Sequence, residues 1–464
     1  MSANPHQSAG PDITAAFVDK VRAICWDSLP HAAVEVARQA MLDTLAVTLA
    51  GARETSGVAR ISMAYARETG GAPCASVIAG GFKTSMQNAA YVNGTLAHVL
   101  EFDAAWSPPN HPASPTLPAI MAVAEHYRLP GTKIIEAVVA AFEVQARVRL
   151  AATGMPAGDG FHKPGVTGLF GAAAGVARLL DLGQQQMRMA LGLAGSRAGS
   201  MAINSGTMTK SSHAGHAARM GIECAILARA GWTASPEVFG PGGFFDTFMP
   251  GDSQPQRLIE GFAAPLRMIE PGVGFKAYPC VYFTHRAIDA ALELRQRFDI
   301  RAAQVESVHV RFARFEYVDR PQPRSGLDAK YSLQYATLIA LLDGEVSMDS
   351  FSDERLRSND VLSLLPRVHF EPDDAIPAEL ERMHTTVTVV LKDGRKMSQH
   401  VEKLSGWMGT PLTPEQQRNK FFSCARHVLE DGAAQRMLAL VEKFESLAEV
   451  GELMDIARCG DGQA

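Results

Sequence analysis

A mainly α fold, with a large all-helical domain and a smaller α+β domain, is predicted for this 464-residue chain by three observations. From Pro11 to Trp232 nearly every segment is rich in Ala, Leu, Met and Arg and spaces its apolar residues three and four apart, the period of a helix. After Pro265 the texture changes to apolar and polar residues in alternation, the period of a strand. From Thr413 the helical period returns, so the tail is expected to rejoin the first domain. The expected division is residues 1–265 together with 406–464 as the helical domain, and 266–405 as the α+β domain. The length and the 47% of hydrophobic residues suffice to bury a large core in two such units.

In chain order, the spacing predicts helices over 13–26, 31–49, 58–68, 86–105, 115–126, 134–151, 164–180, 184–193 and 212–230. Residues 34–49 are apolar on most faces, which places that helix inside a shell of others. Ser107-Pro-Pro-Asn-His-Pro112 cannot continue a helix, because proline lacks the N–H and clashes with the preceding turn. The next helix is expected to start with Ser114 as N-cap and Pro115 at its first position. Gly165, Gly168, Gly171 and Gly175 recur on one side of their helix and read as a close-packing face; neither GxxxxGK[ST] nor a strand followed by GxGxxG occurs. In the second domain, strands are expected over 305–312, 385–391 and 396–401, the last two flanking an Asp393-Gly394 turn, with helices over 281–297 and 328–342. The tail carries a helix from Thr413, with Pro414 near its start, and another over 435–447.

Composition excludes several classes of partner. The 44 Lys and Arg nearly balance the 49 Asp and Glu, and no basic run is interleaved with aromatics, which argues against nucleic acid. The first ten residues are polar and form no secretory signal, and no apolar run spans a bilayer; even 171–180 is interrupted by Arg178. Cys25, Cys74, Cys224, Cys280, Cys424 and Cys459 lie far apart without a CxxC pair, as reduced thiols of a cytoplasmic protein would.

Four segments carry the candidate chemistry. Residues 93–103 followed by His111-Pro-Ala-Ser114 set His98, Glu101, Asp103 and His111 around the proline-broken loop, and a polar group on a stiff loop between buried helices is well placed for catalysis. His162 and Lys163 precede the glycine-rich helix, whose first-turn N–H groups favour an anion. Lys210 stands at another helix start, with His213 and His216 three apart on one face, and Lys276, Tyr278 and Cys280 stand at the entry of the helix that carries His285. Taken singly, each has a structural reading: Asp103 and His111 as turn-satisfying groups, His213 and His216 as core histidines, Lys210 and Lys276 as solvated side chains. Taken together, they form a cationic pocket for a substrate with two or three carboxylates, with Asp103 ionised among the cations and a histidine as acid or base. Two readings from other classes stay open: a metal-dependent hydrolase using Asp103, His213 and His216, and a non-catalytic helical scaffold.

Along these stretches, with 162–175, Ala217-Ala218 and Tyr331-Ser-Leu-Gln-Tyr335 added, the chain resembles the MmgE/PrpD family, which includes 2-methylcitrate dehydratase, cis-aconitate decarboxylase and iminodisuccinate epimerase. The resemblance covers nearly the whole chain. It implies that the α+β domain is a lid, that the protein is a homodimer, and that catalysis in the cleft needs no cofactor or metal. Carried over by position, Asp103, His111, His162, Lys210 and Lys276 are the expected catalytic residues. His98, Lys163, His213, Tyr278, Tyr331 and Tyr335 are the expected substrate-binding residues. The expected activity is that of a lyase that abstracts a proton next to a carboxylate of a di- or tricarboxylate, in first place a 2-methylcitrate dehydratase-like hydro-lyase, with decarboxylase and epimerase as alternatives. His111 is expected to move the proton and Asp103 to orient it. The chain departs from the family where further acidic residues are common: after Asp103 it reads Ala104-Ala105.

Overall fold

The structure, a computed structural model, describes residues 12–155 and 160–458. The polar start of the chain, Gly158-Asp159 and Cys459 lie outside the described residues. The described chain is mainly helical with a minor share of strand. Helices α1 (Ile13–Arg22), α2 (His31–Gly51), α3 (Val58–Thr69), α4 (Met86–Val99), α5 (Leu117–Tyr127), α6 (Gly131–Ala151), α7 (Lys163–Leu179), α8 (Gln184–Gly195) and α9 (Met208–Arg229) follow one another, interrupted by a two-residue hairpin of β1 (Ala75–Ser76) and β2 (Lys83–Thr84). Their starts obey side-chain capping where it is available: the Asp12 carboxylate accepts from Ala15 N–H and the Ser85 hydroxyl from Asn88 N–H.

Buried apolar side chains form two clusters. One joins α1 to α9 with Phe421–Ala457 of the tail. The other runs from Cys280 to Trp407 and includes Ala105 from the first stretch. The second surrounds a four-stranded sheet in the order β4 (Val368–Asp373), β3 (Val305–Ala313), β5 (Thr385–Leu391) and β6 (Lys396–Val401), covered by the helix His285–Phe298. β5 alternates buried and half-buried residues along its length, as its sequence alternation requires.

The differences from the sequence expectation have local causes. The expected helix over 86–105 stops at Val99, and Glu101 adopts φ 54°, because buried lysines hold the carbonyls that follow. Ser114 is not an N-cap: its hydroxyl is taken by Asp103, and α5 begins at Leu117 after Thr116, whose hydroxyl donates to Pro112 O. α9 starts at Met208, so Lys210 lies inside its first turn. The first helix ends at Arg22, and the expected helix over 281–297 is a 3-10 turn, Tyr282–Thr284, followed by His285–Phe298. The helix over 328–342 is split into Gly326–Ala329 and Leu333–Asp343 at Lys330, whose ammonium is committed elsewhere. The tail helix lies at Asp431–Glu442, four residues ahead of the expected start. β4 was not expected; it pairs in parallel with β3, Val308 opposite Val368, on an edge where Pro372 is tolerated.

α4 and α9, which carry His98, Lys210 and His213, meet at a glycine pair. A Cβ on Gly94 would lie 2.9 Å from Gly215 Cα, and one on Gly215 would lie 2.1 Å from Tyr91 O. Backbone-to-backbone approach of this kind has no flexible side chain to yield. Gly215→Ala should therefore cost about 3 kcal/mol by overpacking, read as a lower urea midpoint at unchanged slope; a midpoint equal to the parent would show that the helices can separate freely.

Candidate active site

Asp103 is fully buried and gathers its partners on one oxygen. Its Oδ2 accepts from Ser114 Oγ at 2.6 Å and lies 2.9 Å from His98 Nδ1 and 3.0 Å from His111 Nδ1, while Oδ1 has no partner. Burial alone would raise the carboxyl, but the imidazoles of His111 and His98 outweigh it and hold Asp103 well below the usual carboxylate range. An ionised carboxylate only accepts, so His98 carries its proton on Nδ1. Burial keeps that imidazole neutral, its pKa pushed down to about 3 despite Asp103. The loop fixes His111 from both sides of its backbone: its N–H donates to Asn110 Oδ1 at 2.9 Å and its carbonyl accepts from Gln145 Nε2 at 2.9 Å. Asn110 in turn donates to Thr167 of α7 at 2.7 Å.

Opposite this carboxylate stands Glu101, which the expectation had left out of the site residues. Its Oε1 pairs with Lys210 Nζ, and its Oε2 lies 3.4 Å from Lys276 Nζ, which also donates to Glu101 O at 2.7 Å. All three side chains are buried. Burial and the Lys276 charge push the Lys210 ammonium well below the usual lysine range, and burial pushes Lys276 down to about 8 although Asp103 opposes it. The two lysines thus face one carboxylate rather than open water. The signal was in the sequence: two buried lysines need a counter-charge, and the first motif supplies two acids.

His162 caps α7 and meets α9 through His213, Nδ1 to Nδ1 at 3.0 Å. Burial and the neighbouring cations push both imidazoles down, His213 to about 4. A cavity of about 90 Å³ lies among these groups, lined by Glu101, His111, His162, Lys163, Lys210 and Lys276 on its polar side and by Trp106, Tyr282, Phe283 and Trp407 on its aromatic side. His98 and Asp103 stand behind His111, and His213 stands behind His162, outside the lining. Tyr331 lies under Lys210, whose Nζ is 5.7 Å from the ring centre. The structure does not bring the other two tyrosines in. Tyr278 donates to Asp289 at 2.6 Å, and Tyr335 donates to Ser350 O at 2.5 Å within the second cluster. Tyr282 and Tyr317, which the sequence did not mark, reach the cavity in their place.

Among the described residues, the one group of side chains with metal-ligand spacing is His98, Asp103 and His111, their ligand atoms within 4.8 Å of one another. It includes neither His213, which is engaged with His162, nor His216, which is exposed. The three ligands of the hydrolase reading are therefore not gathered.

Two consequences are measurable. Glu101→Gln leaves two buried ammonium groups without a counter-charge and should cost about 3 kcal/mol of stability, read by denaturant unfolding; an unchanged midpoint would mean that the lysines are neutral in the folded protein. Acidification should also destabilise the fold. Unfolded imidazoles take up protons near 6.5, whereas His98 and His213 stay neutral to about 3 and about 4, so below pH 6.5 the unfolded state binds more protons and stability falls toward pH 4. A melting temperature flat over that window would contradict the buried neutral histidines.

Comparison with known proteins finds relatives over nearly the full length of the chain. The family model for the MmgE/PrpD N-terminal domain matches residues 15–257, and that for the MmgE/PrpD C-terminal domain matches residues 278–446. The chain is 28% identical to the cis-aconitate decarboxylase of Mus musculus, over 95% of this chain and 92% of that protein. It is 28% identical to the cis-aconitate decarboxylase of Homo sapiens, over 96% and 94%, and 24% identical to that of Aspergillus terreus, over 99% and 98%. The chain belongs to the MmgE/PrpD family and is an enzyme of that type.

Proposed function

We propose that this enzyme is a cofactor-independent lyase that decarboxylates an unsaturated tricarboxylate of the cis-aconitate kind. The observation that carries the reading is the cavity where, among the described residues, Lys210 and Lys276 face the lining carboxylate Glu101 and the imidazole of His111 lies 3.0 Å from Asp103. The full-length relatives named above favour decarboxylation over the dehydration first expected. Loss of CO₂ leaves an electron pair that conjugates through the adjacent C=C onto a second carboxylate. Lys210 and Lys276 stabilise the charge that develops there, and His111, oriented by Asp103, delivers one proton to carbon. The aromatic side of the cavity suits the departure of uncharged CO₂ and keeps water from the carbanion.

The two apolar clusters support a division close to residues 1–265 with 406–464 as one domain and 266–405 as a lid, with Leu266, Met268 and Phe275 packing with the former and Trp407 with the latter, and the cavity draws His111, His162 and Lys210 from the former and Lys276, Tyr282 and Phe283 from the latter. A homodimer accompanies the proposal on family resemblance, and a cytoplasmic location on the scattered cysteines; no helix among the described residues is long and apolar enough to cross a membrane.

The test is a panel of cis-aconitate, citrate, methylcitrate and substituted succinates in heavy water. Release of CO₂ with one deuterium gained at carbon is the expected result. Loss or gain of water would make the enzyme a dehydratase, inversion at carbon an epimerase, and a panel left unchanged at high enzyme concentration would sink the carboxylate reading. His111→Gln should abolish turnover on the accepted acid while the circular dichroism spectrum and the melting transition stay as in the parent.

A further inference from the structure

His162 and His213 meet through like atoms, and that constrains their protons. Two bare Nδ1 atoms 3.0 Å apart repel, and two N–H groups collide, so one ring donates and the other accepts. The tautomers of the pair are therefore locked to each other. Both rings are almost fully enclosed, and the titratable groups that act on them are His98 and His111 from the Asp103 side, Lys163 from α7, and Lys210 and His216 from α9, while the carboxylates of Asp103 and Glu101 are engaged by His98 and His111 and by Lys210 and Lys276. Burial first, and then those histidines and lysines, oppose an imidazolium, so the pair shares its bond in the neutral state.

Only one member of the pair touches the cavity. His162 lines it, and with Nδ1 committed to His213 its remaining nitrogen, Nε2, is the one available there. His213, one ring further back, has no place in the lining. This argues against the expectation that His213 binds substrate. The direction of the bond then decides what His162 offers. If His162 donated to His213, a bare Nε2 lone pair would face the cavity, a repulsive arrangement against a carboxylate. If His213 donates, His162 presents an Nε2–H.

We propose that His213 is a positioning residue whose Nδ1–H fixes His162 as the neutral Nε2–H tautomer, making His162 an uncharged hydrogen-bond donor to the carboxylate on which negative charge develops. The choice of direction rests on the carboxylate-substrate reading; the locking of the two tautomers does not. A neutral imidazole is suited to this task. It strengthens its hydrogen bond as the oxygen gains charge, and it adds no further cation to a site where Lys163, Lys210 and Lys276 are already enclosed. It also separates the roles of the histidines: His111, paired with a carboxylate, handles the proton, and His162, paired with an imidazole, holds the anion.

The experiment is a nitrogen spectrum of histidine-¹⁵N-labelled, ligand-free enzyme near pH 7.5, with the His162 signals identified by their absence in His162→Gln. The expected result is a protonated Nε2 and an unprotonated, hydrogen-bonded Nδ1 on His162. A proton on His162 Nδ1 overturns the proposal, and this arm needs no substrate, so it decides even if no acid in the panel is turned over. On an acid that is turned over, His213→Ala should lower kcat about 100-fold with KM changed much less, the size expected for a misdirected oxyanion donor. His213→Asn places an amide N–H where Nδ1–H was and should restore most of that loss, whereas His213→Asp offers only acceptors and should not. Equal rates in the Asn and Asp variants would show that His213 acts by filling space, and would overturn the tautomer role.

Discussion

Three lysines from distant parts of the chain cap three successive carbonyls where α4 ends. Lys330 Nζ donates to Leu100 O at 3.1 Å, Lys276 Nζ to Glu101 O at 2.7 Å and Lys420 Nζ to Phe102 O at 2.8 Å. The last carbonyls of a helix have no partner within it and lie at the negative end of its dipole, so a cation is the natural cap. Here the end is buried and no glycine follows to relieve it, and Glu101 takes up the left-handed turn that a glycine would ordinarily supply. The reversal sends the Glu101 carboxylate to Lys210 and Lys276, and two residues later it delivers Asp103 to His98 and His111. Without those caps the chain would have reason to continue as helix through Ala105, as its propensity favours, and neither carboxylate would reach its partners.

That same construction marks the boundary of what sequence alone conveys. The helical texture from α1 to α9, the alternation of β3, β5 and β6 and the glycine face of α7 follow from local periodicity, and they are legible because each residue's role is set by neighbours three, four or two positions away. Gly171 and Gly175 of α7 do lie against Ala141 of α6. The early end of α4 is not legible, because its cause lies at Lys276, Lys330 and Lys420, more than 170 residues away. The loss of Ser114 as a cap has the same origin: Asp103 competes for its hydroxyl and wins, the bond to a charged acceptor being the stronger. β4 is missed for a different reason. Its residues are mostly exposed or half-exposed and include a proline, so no apolar alternation betrays it. In the site, Asp103, His111, His162, Lys210 and Lys276 are brought together, whereas Tyr278 and Tyr335 are drawn away by Asp289 and Ser350 O, partners that spacing does not reveal.

Enclosing this many ionisable groups is unfavourable for folding, and the structure limits the cost by two means. Charged groups are paired across elements: Glu101 with two lysines, and Asp43 with Lys420 at 2.6 Å. The imidazoles of His98, His162 and His213 are left neutral, and with His111 they form a row whose ring centres, from His111 to His213, follow at 4.7, 5.4 and 5.0 Å. Some buried atoms are left without a hydrogen-bond partner, Asp103 Oδ1 and His98 Nε2 among them. Such unsatisfied atoms are costly to a fold, and those behind His111 fit a site shaped for chemistry better than one shaped for stability.

The departure after Asp103 falls into place on the same ground. Ala104 is fully buried, and Ala105 pairs with Gly274 through both backbone groups, N to O at 2.9 Å and O to N at 2.8 Å. This bridge ties the Asp103 loop to the segment that leads to Lys276, and the Ala105 side chain both joins the second apolar cluster and lines the cavity. An acidic side chain at 105 would add a second carboxylate to the described lining beside Glu101 and reduce its cationic character. With alanine there, Lys210 and Lys276 share one described lining carboxylate, Glu101. Alanine at 105 therefore leaves the contact of Asp103 with His111 untouched and acts on the charge of the cavity.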